Sequence, residues 1–166
     1  MAGAALAARL PGVVVETAGT LTVDGLPMSW RTRSALQAVG LAAPSRHRSR
    51  QASAADLDRA ELVVGLAPEH VSWVRRTHPP AAPRTGTLTR LARDLAATGA
   101  PLEDRVAALA LAEQALEPWE EVVDPGGGDA EDFTACARHV ADLADRLAAV
   151  LTTRAERLDR RPGREP

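Results

Sequence analysis

Apolar and polar positions change period several times along these 166 residues, and each change marks an element. Val13-Val-Val-Glu-Thr17 follows the Pro11-Gly12 turn as a β-branched run and reads as a strand. Ser29 caps a helical stretch from Trp30 to Val39, with Gly40 in the position that ends it. Ser53-x-x-Asp56 has the form of a capping box ahead of a short helix through Arg59. Leu62-Val-Val-Gly-Leu66 is an apolar run, not an alternation, which marks a strand buried on both faces. Pro68 opens a helix with Val71 and Val74 on one side, stopped by Pro79-Pro80, and Pro83-Arg-Thr85 allows a short strand. Leu88, Leu91 and Leu95 recur at helical spacing up to Gly99. Glu103 to Leu116 gives another helix, with Val106, Leu109 and Ala110 inward. Asp129 caps the last helix, whose apolar stripe is Phe133, Cys136, Val140, Leu143, Leu147 and Val150.

Strand and helix signals that alternate in this way predict an α/β, three-layer fold: a short parallel sheet with helices on both faces. Two strands are clear and a third is short, which is too little sheet for so many helices. The pattern therefore predicts that a strand is missing. One domain over 1–152 is expected, followed by a charged, Pro/Gly-bearing tail over 153–166 expected to be disordered.

Composition removes several function classes. Twenty basic residues, every one an arginine, stand against 22 acidic ones for a net charge of −2, so nothing global attracts nucleic acid or an anionic membrane. The arginines alternate with Asp and Glu along most of the chain, the pattern of a solvated surface. Cys136 is the single cysteine, which forbids an internal disulfide and fits a reducing, cytoplasmic setting. Arg9 and Pro11 interrupt the first apolar run, unlike a secretory signal. No stretch approaches the roughly 20 apolar residues of a membrane span. The spacing of His47, His70, His78 and His139 suggests no metal site, and no cofactor is expected. Without lysine there is no Walker A motif, and Gly126 to Gly128 form no dinucleotide fingerprint.

Five segments, in order, carry a resemblance. They are Thr17-Ala-Gly-Thr20 at a strand end, Gly25-Leu-Pro-Met28 behind it, and His47-Arg-Ser-Arg-Gln51 before the capped turn. Asp58-Arg-Ala-Glu-Leu-Val-Val64 enters the buried strand, and Asp124-Pro125-Gly-Gly127 precedes the Phe133-x-x-Cys136 helix. Together they resemble the low-molecular-weight protein-tyrosine phosphatase family over nearly the whole chain. The family's Cys-x5-Arg-Ser nucleophile loop and the first strand it closes have no counterpart here. Met1-Ala2 stands where the following helix would have just begun, so a start placed too far downstream is the expectation.

The resemblance implies hydrolysis of phosphotyrosine monoesters through a phosphocysteine, with Asp124 as the general acid that protonates the leaving phenolate. A positioned acid of this kind contributes about 10²–10⁴-fold. The family's thiolate is made possible by loop N–H groups at a helix N-terminus, which lower its pKa. His47 resembles a histidine that supports that loop, and with the loop absent it reads as a surface residue. Gly126 stands where the family usually places an aromatic against the substrate ring, so phosphotyrosine preference is expected to be weakened or altered. Trp30 is expected to face the core at its helix start, the alternative being a place lining the substrate cleft. Cys136 cannot replace the nucleophile: Asp142, not Arg, lies six positions on, and the thiol sits on an apolar stripe. The chain as it stands is expected to be inactive, its alternative role being a catalytically dead relative that binds a partner. A complete form would take a phosphotyrosine protein or a small aryl phosphate, and the open sheet edges are expected to favour self-association.

Overall fold

The apolar run at Leu62–Leu66 pairs with Thr85-Gly-Thr87 to form the sheet of a computed structural model, which describes residues 1–153. Strand β1 (Val63–Gly65) runs parallel to β2 (Thr85–Thr87), with Val63 opposite Thr85, Val64 opposite Gly86 and Gly65 opposite Thr87. Successive side chains of a strand face opposite ways. Val63 accordingly joins Leu57, Val74 and Ala81 on one face. Leu62, Val64 and Leu66 turn to the larger core with Leu88, Leu91, Val140 and Leu147.

Among the described residues seven helices supply the outer layers: α1 (Ala2–Arg9), α2 (Trp30–Ala38), α3 (Ala54–Arg59), α4 (Pro68–Thr77), α5 (Leu88–Asp94), α6 (Leu102–Ala107) and α7 (Ala130–Thr152). Helices α1, α2 and α5 pack on α7 to one side of the sheet. The other side holds α3, α4 and the 3₁₀ segment Pro79–Arg84. The architecture is the expected α/β one, a short parallel sheet between helical layers. Gly86 permits close layering, since a Cβ there would lie 3.0 Å from Leu91 Cγ of α5.

The local signals hold at the starts of helices. Ser29 accepts a hydrogen bond from the Thr32 N–H, and Ser53 and Asp56 complete the capping box of α3. Asp129 accepts from the N–H groups of Glu131 and Asp132 at the start of α7.

Other expectations are corrected. Val13–Thr17 is not a strand: among the described residues the N–H groups of residues 14 to 18 have no backbone partner, and Val14 is 86% exposed. With no strand beside it, its β-branched preference has nothing to pair with. Pro83-Arg84 closes the 3₁₀ segment, and the strand begins at Thr85. Helix α5 ends at Asp94, short of Gly99. The helix expected over 103–116 stops at Ala107, and Ala110 adopts φ 47° in the left-handed region, turning Leu111 into the core.

The arginines are not uniformly solvated. Arg84 donates to the carbonyls of Leu57, Ala60 and Pro80, and Arg105 to those of Ala96 and Val150. A guanidinium carries five donors, enough to satisfy carbonyls left open at helix ends and turns. Beyond Thr153 the expected charged tail lies outside the described residues. No helix among the described residues is long and apolar enough to cross a membrane.

Candidate functional site

The loop 121–129 crosses the C-terminal edge of the sheet, where parallel α/β sheets gather their ligands. Glu120, at the end of the 3₁₀ turn Pro118–Glu120, is fully buried beside the last residue of β2. Its carboxylate accepts hydrogen bonds from Thr87 Oγ1 at 2.7 Å, Arg90 Nε at 2.9 Å, Arg90 Nη2 at 2.6 Å and the Glu117 N–H at 2.9 Å. Burial pushes its pKa up, but Arg90, the Glu117 N–H and Thr87 more than offset that, and the carboxyl stays below its ordinary range. Two residues on, the Val122 N–H donates to the Leu66 carbonyl just past β1, at 2.8 Å. The chain thus steps from the end of β2 to the end of β1.

Asp124 follows, exposed, with one oxygen accepting from the Gly126 N–H at 2.9 Å. That is an Asx turn, and among the described residues the other carboxylate oxygen has no hydrogen-bond partner. A Cβ at Gly126 would lie 3.3 Å from both Asp124 oxygens, so position 126 sits directly against the carboxylate.

Cys136 is half-buried in α7. Burial first, and the charge of Asp124 second, push its thiol up, while the Met1 ammonium opposes them. A raised thiol pKa is the reverse of what a nucleophile needs.

His47 is half-buried and faces a cavity of about 200 Å³, shared with Thr17, Gly19, Thr22, Ser49 and Arg50. Among the described residues its ring makes no hydrogen bond. Hydrogen bonds tie the two walls of this cavity together. The Gly19 N–H donates to the Arg50 carbonyl and the Ala52 N–H to the Gly19 carbonyl, while the Gln51 amide group bridges Thr20 and Thr22. No hydrogen bond joins His47 to Asp124 among the described residues.

Trp30 departs from expectation. It is 61% exposed, with the Arg31 guanidinium 5.6 Å from its ring centre and 5.9 Å from that of Phe133. At the first position of α2 its ring stays outside the packed face, and the cation over its π-face partly compensates. No group of three or more metal-ligating side chains occurs among the described residues.

Sequence reading singled out Asp124 and His47 and rejected Cys136 as a nucleophile, and it did not single out Glu120 or Arg90. Glu120 stands in a Glu-Pro-Trp-Glu-Glu run, where nothing local separates a buried glutamate from Glu117 or Glu121.

No protein-family model matches the chain. Among curated proteins it is similar to a protein-arginine-phosphatase of Geobacillus stearothermophilus, 28% identical over 145 residues, covering 87% of this chain and 81% of that protein. The solved structure of YwlE arginine phosphatase from Geobacillus stearothermophilus superimposes with a TM-score of 0.70 at 26% identity, covering 98% of this chain and 88% of that one. A mutant YwlE arginine phosphatase with a phosphorylated active site serine shares the fold, with a TM-score of 0.69 at 16% identity over 96% of this chain and 87% of that one.

Proposed function

We propose that this chain, which belongs to the low-molecular-weight protein-tyrosine phosphatase family, supplies the acid-bearing scaffold of a protein phosphatase, with Asp124 as general acid and phosphoarginine as the favoured substrate. The observation that carries the reading is the Asp124 turn: an exposed carboxylate at the C-terminal sheet edge with one oxygen free and a glycine against it.

The chemistry follows from what must break. When a thiolate attacks phosphorus in a phosphoarginine, the P–S bond forms as the P–N bond breaks. The departing guanidine nitrogen needs a proton, which Asp124 donates. In the second step the Asp124 carboxylate takes a proton from water as the water oxygen attacks phosphorus, and the thiolate leaves with inorganic phosphate formed.

Gly126 supports arginine over tyrosine. A flat phenyl ring gains from an aromatic packed against it, and this chain offers none at the position next to the acid. A guanidino group on an alkyl stem does not depend on such a clamp. The similarity to arginine phosphatases points the same way.

These 166 residues contain no Cys-x5-Arg, and the half-buried Cys136 has its thiol pushed up, so by themselves they are expected to hydrolyse nothing. The test is complementation. A peptide with a β-branched strand followed by Cys-x5-Arg-Ser is joined ahead of Met1, and release of phosphate from phosphoarginine and phosphotyrosine peptides is followed. The expected result is turnover only in the joined protein, faster on phosphoarginine, with D124N lowering kcat by about 10²–10⁴-fold. Unchanged kcat in D124N would remove Asp124 from the mechanism. Turnover by the chain alone that disappears in C136S would instead make Cys136 the nucleophile.

A second reading, a binding protein without turnover, draws on the apolar surface left open at Val14 and Leu21, which are 86% and 96% exposed. It gains if the joined protein folds and still releases no phosphate from either peptide.

A further inference from the structure

The Asp124 loop has two anchors, and only one of them is legible in the sequence. At its far end Asp129 caps α7, a link of neighbouring residues. At its near end Glu120 is bound to Thr87 and Arg90, some thirty residues away along the chain. Between them the Val122 N–H, held on the Leu66 carbonyl, is the only backbone bond from residues 121–124 to the sheet among the described residues. Val123 and Asp124 themselves are exposed.

We propose that Glu120, held by Arg90 and Thr87, is a positioning residue that fixes where Asp124 stands over the end of the sheet. The inference rests on the reading of Asp124 as the acid, and it concerns residues that the resemblance did not identify.

The geometry favours this over a merely stabilising ion pair. Arg90 meets Glu120 through two nitrogens, Nε and Nη2, so the carboxylate is fixed in orientation as well as in place. The third donor, Thr87 Oγ1, belongs to the last residue of β2 and references the carboxylate to the sheet itself. The same hydroxyl accepts the Arg90 N–H at 3.1 Å, capping α5, so strand end, helix start and loop share one node. From Glu120 to Asp124 is four residues, with Val122 pinned midway. An error of orientation at Glu120 is therefore carried directly to the acid. A misplacement of about 1 Å at a reacting group can cost about 10²-fold.

The test uses the 166-residue chain itself and needs no turnover. In E120Q the carboxylate charge is lost with the shape kept, and in T87V one hydrogen bond is lost. Backbone order parameters from nitrogen relaxation are measured for the N–H groups of Val122, Val123, Asp124, Gly126 and Gly127. The expected result is a fall from the rigid range near 0.85 to below about 0.6 in E120Q, and a smaller fall in T87V, with Leu91 and Val140 unchanged. A pair that only adds stability would lower the melting temperature and leave the order of 122–127 as it was. That result in both variants would overturn the inference. If E120Q does not fold, T87V decides alone. Failure of the acid reading shows separately, as an unchanged kcat in D124N of the joined protein.

Discussion

A thiol and a carboxylate differ in exposure here, and this contrast sets what each can do. Cys136 is half-buried and its thiol is pushed up, first by burial. Only the thiolate attacks, so the fraction available at neutral pH is small. Labelling of Cys136 by an aromatic disulfide at pH 7.5 is expected to be roughly ten-fold or more slower than that of a free cysteine. Labelling as fast as a free cysteine would return Cys136 to the list of nucleophiles. The turn at Asp124 was legible from Asp-Pro-Gly because a turn is a local property, whereas its acid role came only from the family resemblance. Glu120 was not legible, because its burial is made by Thr87 and Arg90, far away in the chain. The arginines misled for the same reason. Charge alternation describes neighbours in sequence, whereas Arg84 and Arg105 find their carbonyl partners across the fold.

At the scale of elements, the helix starts were readable, and so were the ends of α2, α3 and α4 at Gly40, Arg59 and Pro79-Pro80, whereas the ends of α5 and α6 were not. Caps are fixed by side chains one to three residues away, as at Ser29, Ser53 and Asp129. The end of α6 depends instead on Ala110 entering the left-handed region at φ 47°, which no alanine signals in advance. That conformation costs an alanine about 1–2 kcal/mol, part of which a glycine returns as entropy in the unfolded chain. A110G is therefore expected to raise stability by up to about 1 kcal/mol in urea unfolding. A loss would mean that the alanine methyl packs favourably.

Helix α3 carries a pH dependence whose sign follows from its box. Asp56 is held well below the usual carboxylate range, first by the Ser53 hydroxyl, then by the Ser53 N–H and by Arg50. A depressed carboxylate contributes stability that is complete above its unfolded pKa of about 4 and is lost as pH falls towards its folded value. The stability gap between the native chain and D56N is thus expected to be constant from pH 7 to about 5. It should narrow from about pH 4 towards pH 2. A gap that widens on acidification would mean that Asp56 is not the charged partner of Arg50 and Arg59.

For the whole molecule, the decisive quantity is how much sheet there is to hold together. The shortage of strands was visible in the sequence, since the strand signals at 13–17, 62–66 and 83–85 were too little sheet for so many helices. The state of Val13–Thr17 was not visible. β-branched residues favour a strand only where a neighbour exists to pair with. Unpaired N–H groups inside a core would cost about 1–3 kcal/mol each. Here the cost is limited because the segment lies open to solvent, with Val13 and Val14 56% and 86% exposed. The open segment instead carries free N–H and C=O groups and β-branched side chains, the features through which edges of separate molecules pair. Sedimentation of the 166-residue chain is expected to show association that grows with concentration. V14R, placed at the most exposed position of the segment, should reduce it through charge while leaving the helical circular dichroism unchanged. A native chain that stays monomeric and melts cooperatively across the same concentrations would mean that solvation alone satisfies this edge. In that case self-association would have no part in how the fold copes with its two-stranded sheet.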